Sequence, residues 1–278
     1  MEAPLLSKLY VPTKSPLHAL IVQLGPQSVY WTFEETTGDW VDKIRGLVLP
    51  RGTLASGTGL LGSAAVFNAP SQFDYLPFGA NPPVLSIGST RGISLWFWMK
   101  IHVDVILPSL NFGADIFMLN PADSNNEIDI AVNVGASPSS PPTSFTYEIR
   151  VNFGGAYMDY YTLAPIARPL DQWVFICVVW DRGAGTLILY RDGAAVPARP
   201  FAMPPVMSQP FSGGTFSDDP FWPLLYGYYD AIGGSTGSVS LDELGFCLNK
   251  ALNADGVTAL YNGGNGLTWP DVKPFLLS

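Results

Sequence analysis

The sequence predicts an all-β fold, because composition and patterning both favour short strands over helices. Hydrophobic residues make up 47% of the 278 residues and charged residues only 13%. The 28 glycines and 25 prolines are typical of a chain that turns often. Between the turns lie short runs of strand-forming residues. A chain of this length is able to bury one large β-sheet core.

The predicted strands follow one another through the body of the chain. They are Ser28 to Glu35, Ala64 to Ala69, Gly92 to Val103, Asp115 to Asn120, Glu127 to Val134 and Ser144 to Phe153. In the third of these runs, Trp96 and Trp98 share one face. Leu95, Phe97 and Met99 share the other face. Two apolar faces predict a strand that is buried between layers.

The strongest local pattern is a hairpin between Asp171 and Gly193. Two apolar strands flank a glycine-containing turn, and the second strand ends at Asp192-Gly193. A single short helix is predicted near the C-terminus, with Asn253 as its N-cap and Asp255 in its first turn. Leu252 and Val257 have the spacing of a hydrophobic staple. Gly263 or Gly264 would end this helix in the left-handed conformation.

The charge balance limits the classes of partner. The net charge of -9 predicts repulsion of polyanions, so nucleic acid is excluded as an expected partner. The chain start lacks the apolar region of a secretory signal. The longest apolar stretch, Trp173 to Trp180, is too short for a membrane helix. These features predict a soluble protein with no membrane insertion.

Cysteines and histidines give no catalytic pattern. Cys177 and Cys247 both lie in apolar strand-like runs, where a thiol packs as a small hydrophobe, and a disulfide between them stays open. His18 and His102 have no serine, cysteine or aspartate at a spacing that indicates a triad or a metal site. His102 lies in a strand run and is predicted to be structural.

The chain divides into an arm, a body and a tail. Residues 1–27 contain too many prolines for a helix and predict an extended arm. Such an arm packs on its own domain or pairs with a neighbour's edge strand. Residues 28–266 form the predicted sandwich, and 267–278 form a tail. The segments Asp104 to Asn126 and Ala198 to Pro223 are longer than strand connections require.

These landmarks together resemble the concanavalin A-like, laminin-G-like family of jelly-roll β-sandwiches. The matching segments are YWTFEETTGDWVDKIRG, LLGSAAVFNAPSQFDYLPF, ISLWFWMKI, QWVFICVVWDRGAGTLILYRDG and SLDELGFCLNKALNADGVTALYNGG, in the order of the family. The resemblance spans Ser28 to Gly266. It implies two stacked antiparallel sheets with one short C-terminal helix.

One strand resembles the catalytic strand of concanavalin A-like glucanases. Those enzymes carry Glu, Asp and a second Glu in alternation, and Glu127 and Asp129 match the first two positions. The third position is Ala131. A glycosidase of this kind needs two carboxyl groups, so the pattern predicts a non-catalytic protein. The alternative is a glycoside hydrolase that pairs Glu127 with a distant acid such as Asp218 or Asp219.

Calcium is the one metal that the resemblance implies, since laminin-G-like domains often hold it. Hard oxygen ligands are available at Asp123, Glu127, Asp129, Asp218, Asp219 and Asp242. No spacing among them singles out a set of ligands. The prediction is therefore a protein without a cofactor, with calcium left open.

A proline-rich segment near residue 220 predicts a contact surface. Stiff, extended chain presents aromatic side chains at little entropic cost. The predicted glycan- or partner-binding residues are Phe216, Phe221, Trp222, Tyr228 and Tyr229, together with Glu127 and Asp129 on the sheet. The alternative is that these aromatics only cover the end of the core. Tyr157, Tyr160 and Tyr161 form a weaker second patch.

The sequence thus predicts a non-catalytic binding or structural protein. By resemblance, a laminin-G-like domain without a leader looks like a bacteriophage virion component, such as a capsid decoration, head fibre or tail protein. Its expected partners are assembly subunits and cell-surface glycans. The extended arm and the mean hydropathy of +0.21 favour an oligomeric assembly.

Overall fold

The structure is a computed structural model. It describes residues 28–44, 46, 48–49, 51, 54–68, 92–102, 111–119, 126–135, 144–153, 156–161, 166–167, 171–181, 184, 186–197, 238–248 and 250–267. The arm 1–27 and the tail, apart from Leu267, lie outside these residues, so the predicted domain boundaries stay predictions.

Fifteen strands and one α-helix make up the described part of the chain. The strands are β1 Ser28–Trp31, β2 Trp40–Val41, β3 Val48–Leu49, β4 Ala55–Thr58, β5 Ser63–Asn68, β6 Gly92–Ile101, β7 Asn111–Leu119, β8 Asn126–Gly135, β9 Ser144–Phe153, β10 Ala156–Tyr161, β11 Ile166–Ala167, β12 Trp173–Asp181, β13 Thr186–Arg191, β14 Ala194–Ala195 and β15 Ser238–Leu248. The helix α1 is Ala254–Tyr261, followed by the 3₁₀ turn Asn262–Gly264.

The strands form two main antiparallel sheets. The larger has eight strands in the order β14-β13-β12-β6-β15-β5-β4, with β1 also pairing with β15. The smaller has five strands in the order β10-β9-β8-β7, with β11 pairing with β9. A short ribbon of β2 and β3 stands apart. The predicted all-β sandwich with one short C-terminal helix is confirmed.

The central strand β6 is buried on both faces, as its sequence predicts. On one face Trp96 and Trp98 are 2% and 3% exposed. On the other face Leu95, Phe97 and Met99 are buried as well. The tryptophan face packs against α1 in a cluster that holds Tyr30, Trp96, Trp98, Phe175, Cys177, Val179, Tyr190, Leu252, Val257 and Leu260.

Helix α1 has the predicted N-cap, but its left-handed C-cap is Asn262 and not Gly263 or Gly264. The Asn253 side chain accepts a hydrogen bond from the Gly256 backbone N–H at 2.9 Å. The helix ends at Asn262, which is left-handed with φ 48° and precedes the predicted glycines. Buried Ser94 of β6 ties the approach to the helix to the sheet, because its Oγ accepts from the Leu252 N–H at 2.8 Å and donates to the Lys250 carbonyl at 3.0 Å.

The predicted hairpin is strands β12 and β13, and a two-residue turn then leads to β14. The turn residues Asp192 and Gly193 both have positive φ, 51° and 79°. This is the backbone that a tight antiparallel connection requires. The Asp192 carboxylate also accepts from the Phe175 N–H at 3.0 Å, which fixes the turn to β12.

The structure decides two points that the sequence left unresolved. The segment Asp104 to Asn126, longer than a strand connection requires, contains strand β7, which covers most of the predicted strand Asp115 to Asn120 and pairs with β8. The open question of a disulfide is settled by the sheet order. Cys177 pairs with Trp96 and Cys247 with Ser94, on opposite sides of β6. Two strand spacings separate them by roughly 10 Å, which is too far for a disulfide.

A buried carboxylate lies where β15 changes its partner. Residues Ser238–Leu241 of β15 pair with β5, whereas residues 244–247 pair with β1. Between these two stretches the ladder with β6 is interrupted by a bulge, and Glu243 takes a positive φ of 53°. Asp242, 0% exposed, lies at this bulge.

Asp242 joins the bulge to the β4–β5 turn through its carboxylate. Oδ2 accepts from the backbone N–H groups of Leu60 and Leu61 at 2.8 and 3.1 Å. Oδ1 accepts from the N–H of Glu243 at 2.9 Å. Nearby, Glu34 Oε2 accepts from the N–H of Ser63 at 3.2 Å, so a second carboxylate holds the same turn.

Burial dominates the electrostatics of this junction. It raises the pKa of Asp242 from an ordinary value of 3.8 to about 7. The three backbone hydrogen bonds lower that pKa and the Glu34 carboxylate raises it. Burial alone raises the pKa of the neighbouring Glu243 well above its ordinary value. Glu243 is 4% exposed, and its Oε2 has no hydrogen-bond partner among the described residues.

The raised pKa of Asp242 predicts that stability falls as the pH rises. Between about pH 4 and pH 7 the folded state holds a proton on Asp242 that the unfolded state has lost. The free energy of unfolding should therefore decline across this window, by on the order of 4 kcal/mol, and level off above it. Urea unfolding at pH 5 and pH 8, with Asp242→Asn as the control, measures the part of this decline that lies above pH 5, on the order of 3 kcal/mol.

Asp242→Asn keeps an oxygen acceptor but has no proton to lose, so its decline between the two pH values should be smaller than that of the wild type. Titration of Glu243 contributes to the decline in both proteins, so its contribution cancels when the two declines are compared. An equal decline in both proteins would contradict the assignment.

Candidate functional site

The five-stranded sheet has one polar and one apolar face. Its register places residues in rows across the strands, and alternate residues of each strand belong to the same face. One set of positions, the polar face, holds Asp115, Glu127, Asp129, Asn133, Thr146, Glu148, Arg150, Asn152, Tyr157, Asp159 and Tyr161. The other set, the apolar face, holds Phe112, Phe117, Ile128, Ile130, Val132, Phe145, Ile149, Val151, Met158 and Tyr160.

Both sheet residues predicted for binding lie on strand β8 at polar-face positions. Glu127 is in register with Asn152 of β9. Asp129 lies between Met118 of β7 and Arg150 of β9. Arg150 is in turn in register with Asp159 of β10. The charges along this row alternate in sign, which is the favourable arrangement for cross-strand neighbours.

The sequence shows one Glu-Asp pair on β8, but the register of the sheet brings further acids beside it. Ala131 occupies the position where a glucanase would carry its second glutamate. Asp115 of β7 and Glu148 of β9 both pair with Ala131 in register, one on each side. The polar face thus carries carboxyl residues on every strand from β7 to β10. Sequence spacing does not reveal this, because each acid is far from Ala131 along the chain.

The predicted aromatic patch cannot be placed. Phe216, Phe221, Trp222, Tyr228 and Tyr229 all lie outside the described residues, so their role stays a prediction. The weaker tyrosine patch divides between the two faces. Tyr157 and Tyr161 are at polar-face positions, in register with Asn152 and Glu148. Tyr160 is in register with Ile149 on the apolar face.

The structure gives Asp242, one of the acids named as available for calcium, a role in backbone hydrogen bonding. Both carboxylate oxygens of Asp242 accept backbone N–H groups in a buried junction. That role explains the Asp-Glu pair without a metal ion. Asp123, Asp218 and Asp219 lie outside the described residues. Among the side chains that the structure describes, no three or more His, Cys, Asp or Glu residues come together as metal ligands.

A second polar cluster lies on the eight-stranded sheet. Trp173 of β12, Lys100 of β6 and Ser240 of β15 form one row in register. His102 and Asp171 come next at the same end of the sheet. We call these five residues the outer shelf. It shares a sheet face with Trp98, whose ring stacks on Tyr261 of α1 at 5.8 Å.

Sequence reasoning missed the contacts of His102 in this shelf. Its Nε2 lies 2.8 Å from Ser240 Oγ, although the serine is 138 residues away. Its Nδ1 lies 3.5 Å from the carboxylate of Asp171. The side chains of His102 and Asp171 are 26% and 50% exposed, whereas Ser240 is 2% exposed. The Lys100 ammonium lies 4.8 Å from the centre of the Trp173 ring.

The described helix is too short to cross a membrane, and no other part of the described chain offers a helix that is long and apolar enough to do so.

Comparison with known proteins supports the fold at a coarse level. The sequence matches no family model and no curated protein. The binding domain of botulinum neurotoxin serotype G is 13% identical, with a TM-score of 0.56 over 84% of this chain and 50% of that one. The binding domain of Paraclostridial Mosquitocidal Protein 1 is 13% identical, with a TM-score of 0.54 over 85% and 52%.

A third similar structure is the binding domain of botulinum neurotoxin DC in complex with SialylT. It is 10% identical, with a TM-score of 0.52 over 86% of this chain and 52% of that one. At such identities the likeness concerns the fold alone. This chain spans about half the length of these domains.

Proposed function

We propose that this chain is a non-catalytic, laminin-G-like binding domain that recognises cell-surface glycans through the polar face of its five-stranded sheet. The observation that carries the proposal is the division of this sheet into an apolar and a polar face by its register. The sheets of a sandwich pack through their apolar faces. The polar face is then the outer surface of this layer.

The composition of the polar face suits a sugar. Carboxylates accept hydrogen bonds from hydroxyl groups, whereas Arg150 and Asn152 donate them. Tyr157 and Tyr161 offer flat rings with polar tips, a combination that is common at binding surfaces. Because the strands fix these positions, little conformational entropy is lost on binding.

The similar structures add support for binding over catalysis. Those reported above are binding domains, and one was solved in complex with SialylT. Since the match reaches only about half of each domain, the choice of ligand rests on the residues of this chain.

We extend the proposal to a place in a virion, as a capsid decoration, head fibre or tail protein made in the host cytoplasm. Its support is the laminin-G-like sequence pattern and the proline-rich arm 1–27, which suits pairing with a neighbour's edge strand. The partners would be assembly subunits as well as glycans.

Glycan binding should depend on the polar face. Isothermal titration with a panel of oligosaccharides should detect a ligand, and Tyr157→Ala should weaken its binding roughly tenfold through loss of the ring contact. Asp255→Asn, an exposed change on α1, is the matched control and should leave binding unaltered. Equal binding by all three proteins would contradict the assignment to this face.

Hydrolysis is the second candidate, and one observation favours it. Asp129 and Glu148 lie on adjacent strands, two residues apart in register. Their Cα atoms are therefore roughly 8 Å apart on one face of the sheet, and an inverting glycosidase requires two carboxyl groups on either side of the scissile bond. A reducing-sugar assay on the same panel should show no turnover. Turnover that is lost in Glu148→Gln would replace the binding proposal with the enzyme.

Assembly through the arm predicts a change of molecular mass. The full-length protein should run as an oligomer in size exclusion with light scattering, and a variant lacking residues 1–27 should run as a monomer. Monomers in both cases would contradict the assembly proposal and leave glycan binding untouched.

A further inference from the structure

The outer shelf of the eight-stranded sheet has no role in the proposed function above. Elsewhere on this face the sheet is apolar and helix α1 covers it through Leu252, Val257 and Leu260. Near the shelf the helix ends with Tyr261. The centre of its ring lies 5.8 Å from that of Trp98 and 6.0 Å from that of Phe175. Beyond it Lys100, His102 and Asp171 are polar and partly or largely exposed. Of the five shelf residues, Trp173 alone packs against the apolar cluster under the helix.

We propose that the outer shelf is a second binding site, independent of the polar face, which takes a neutral saccharide unit. Its groups are the Trp173 ring, the Lys100 ammonium, the His102 imidazole and the Asp171 carboxylate. Ser240 lies beneath them and orients the imidazole.

The shelf is organised before any ligand arrives. The three strands β12, β6 and β15 fix the row of Trp173, Lys100 and Ser240 by their register. The imidazole of His102 is held at both ring nitrogens, by Ser240 at 2.8 Å and by Asp171 at 3.5 Å. Groups that are already held in place lose little entropy on binding.

The chemistry of the shelf favours hydroxyl groups. A sugar hydroxyl both donates and accepts, so it is able to donate to the Asp171 carboxylate and to accept from Lys100. The Trp173 ring supplies apolar area for the C–H face of a pyranose. One ammonium and one carboxylate give no net charge to attract an ionic ligand. The net charge of -9 on the whole chain further disfavours an acidic sugar.

Ser240, His102 and Asp171 contact one another in the order of a nucleophilic triad. The burial of Ser240 argues against a catalytic role for its hydroxyl. A serine nucleophile must reach the carbonyl carbon of its substrate. Ser240 is 2% exposed and lies within β15, with β6 and β5 on either side. Its hydroxyl therefore positions His102 and is not a catalytic group.

The test is saturation-transfer NMR and calorimetry on the full chain with lactose, maltotriose and 3′-sialyllactose. Asp171→Asn removes the carboxylate charge, and asparagine tolerates the positive φ of 54° at this position. Trp173→Ala removes the ring, and Lys100→Gln removes the ammonium. Thermal unfolding of each variant checks that the fold is kept, and Asp255→Asn, an exposed change on α1, is the matched control.

A neutral sugar should bind the wild type, and each shelf variant should weaken this binding about tenfold. Asp255→Asn should leave this binding unchanged. Loss of binding in the shelf variants, in which the polar face is unaltered, separates this proposal from the proposed function. Wild-type affinity in Asp171→Asn and Trp173→Ala would overturn the proposal. So would tighter binding of 3′-sialyllactose than of lactose at the shelf. A dimer that dissociates in the shelf variants would identify the shelf as a protein interface and would overturn it as well.

Discussion

The carboxylate of Asp242 is the interaction on which the larger sheet depends. It accepts three backbone N–H groups from two distant parts of the chain, the turn at Leu60 and Leu61 and the bulge at Glu243. At this point β15 passes from pairing with β5 to pairing with β1. Backbone groups that lose a ladder partner at a buried bulge need another one. Asp242 supplies it at Glu243, and β15 continues beyond the bulge.

Other buried polar side chains also stabilise the eight-stranded sheet through hydrogen bonds to the backbone. Asp42 is 2% exposed, and its carboxylate accepts from the N–H groups of Tyr30 and Ile44. Ser94 Oγ accepts a hydrogen bond from the Leu252 N–H, just before α1 begins. These bonds and the tryptophan core stabilise the eight-stranded sheet, and neither Asp42 nor Ser94 is a residue proposed for recognition. Burying Asp242 and Glu243 costs stability, which the raised pKa of each carboxyl reports.

The sequence predicts those parts of the structure that local interactions determine. The cap at Asn253 and the turn at Asp192-Gly193 each depend on a few neighbouring residues, and both are present. The alternation of polar and apolar residues along β8 follows from the sequence as well. Its register against β7 and β9 does not, because pairing between distant strands depends on the packing of the whole sheet. That is why Asp115 and Glu148 beside Ala131 were missed. The contact between His102 and Ser240 was missed for the same reason.

The exchange rates of the Leu60 and Leu61 amide protons test the central claim most directly. Hydrogen exchange followed by NMR should show both amides protected to the same degree as the amide of Leu252, which donates to buried Ser94. The exposed amide of Ala184, which donates to Asp181 at a hairpin turn, provides the fast reference. Exchange of Leu60 and Leu61 as fast as that of Ala184 would contradict a junction organised by the buried carboxylate of Asp242.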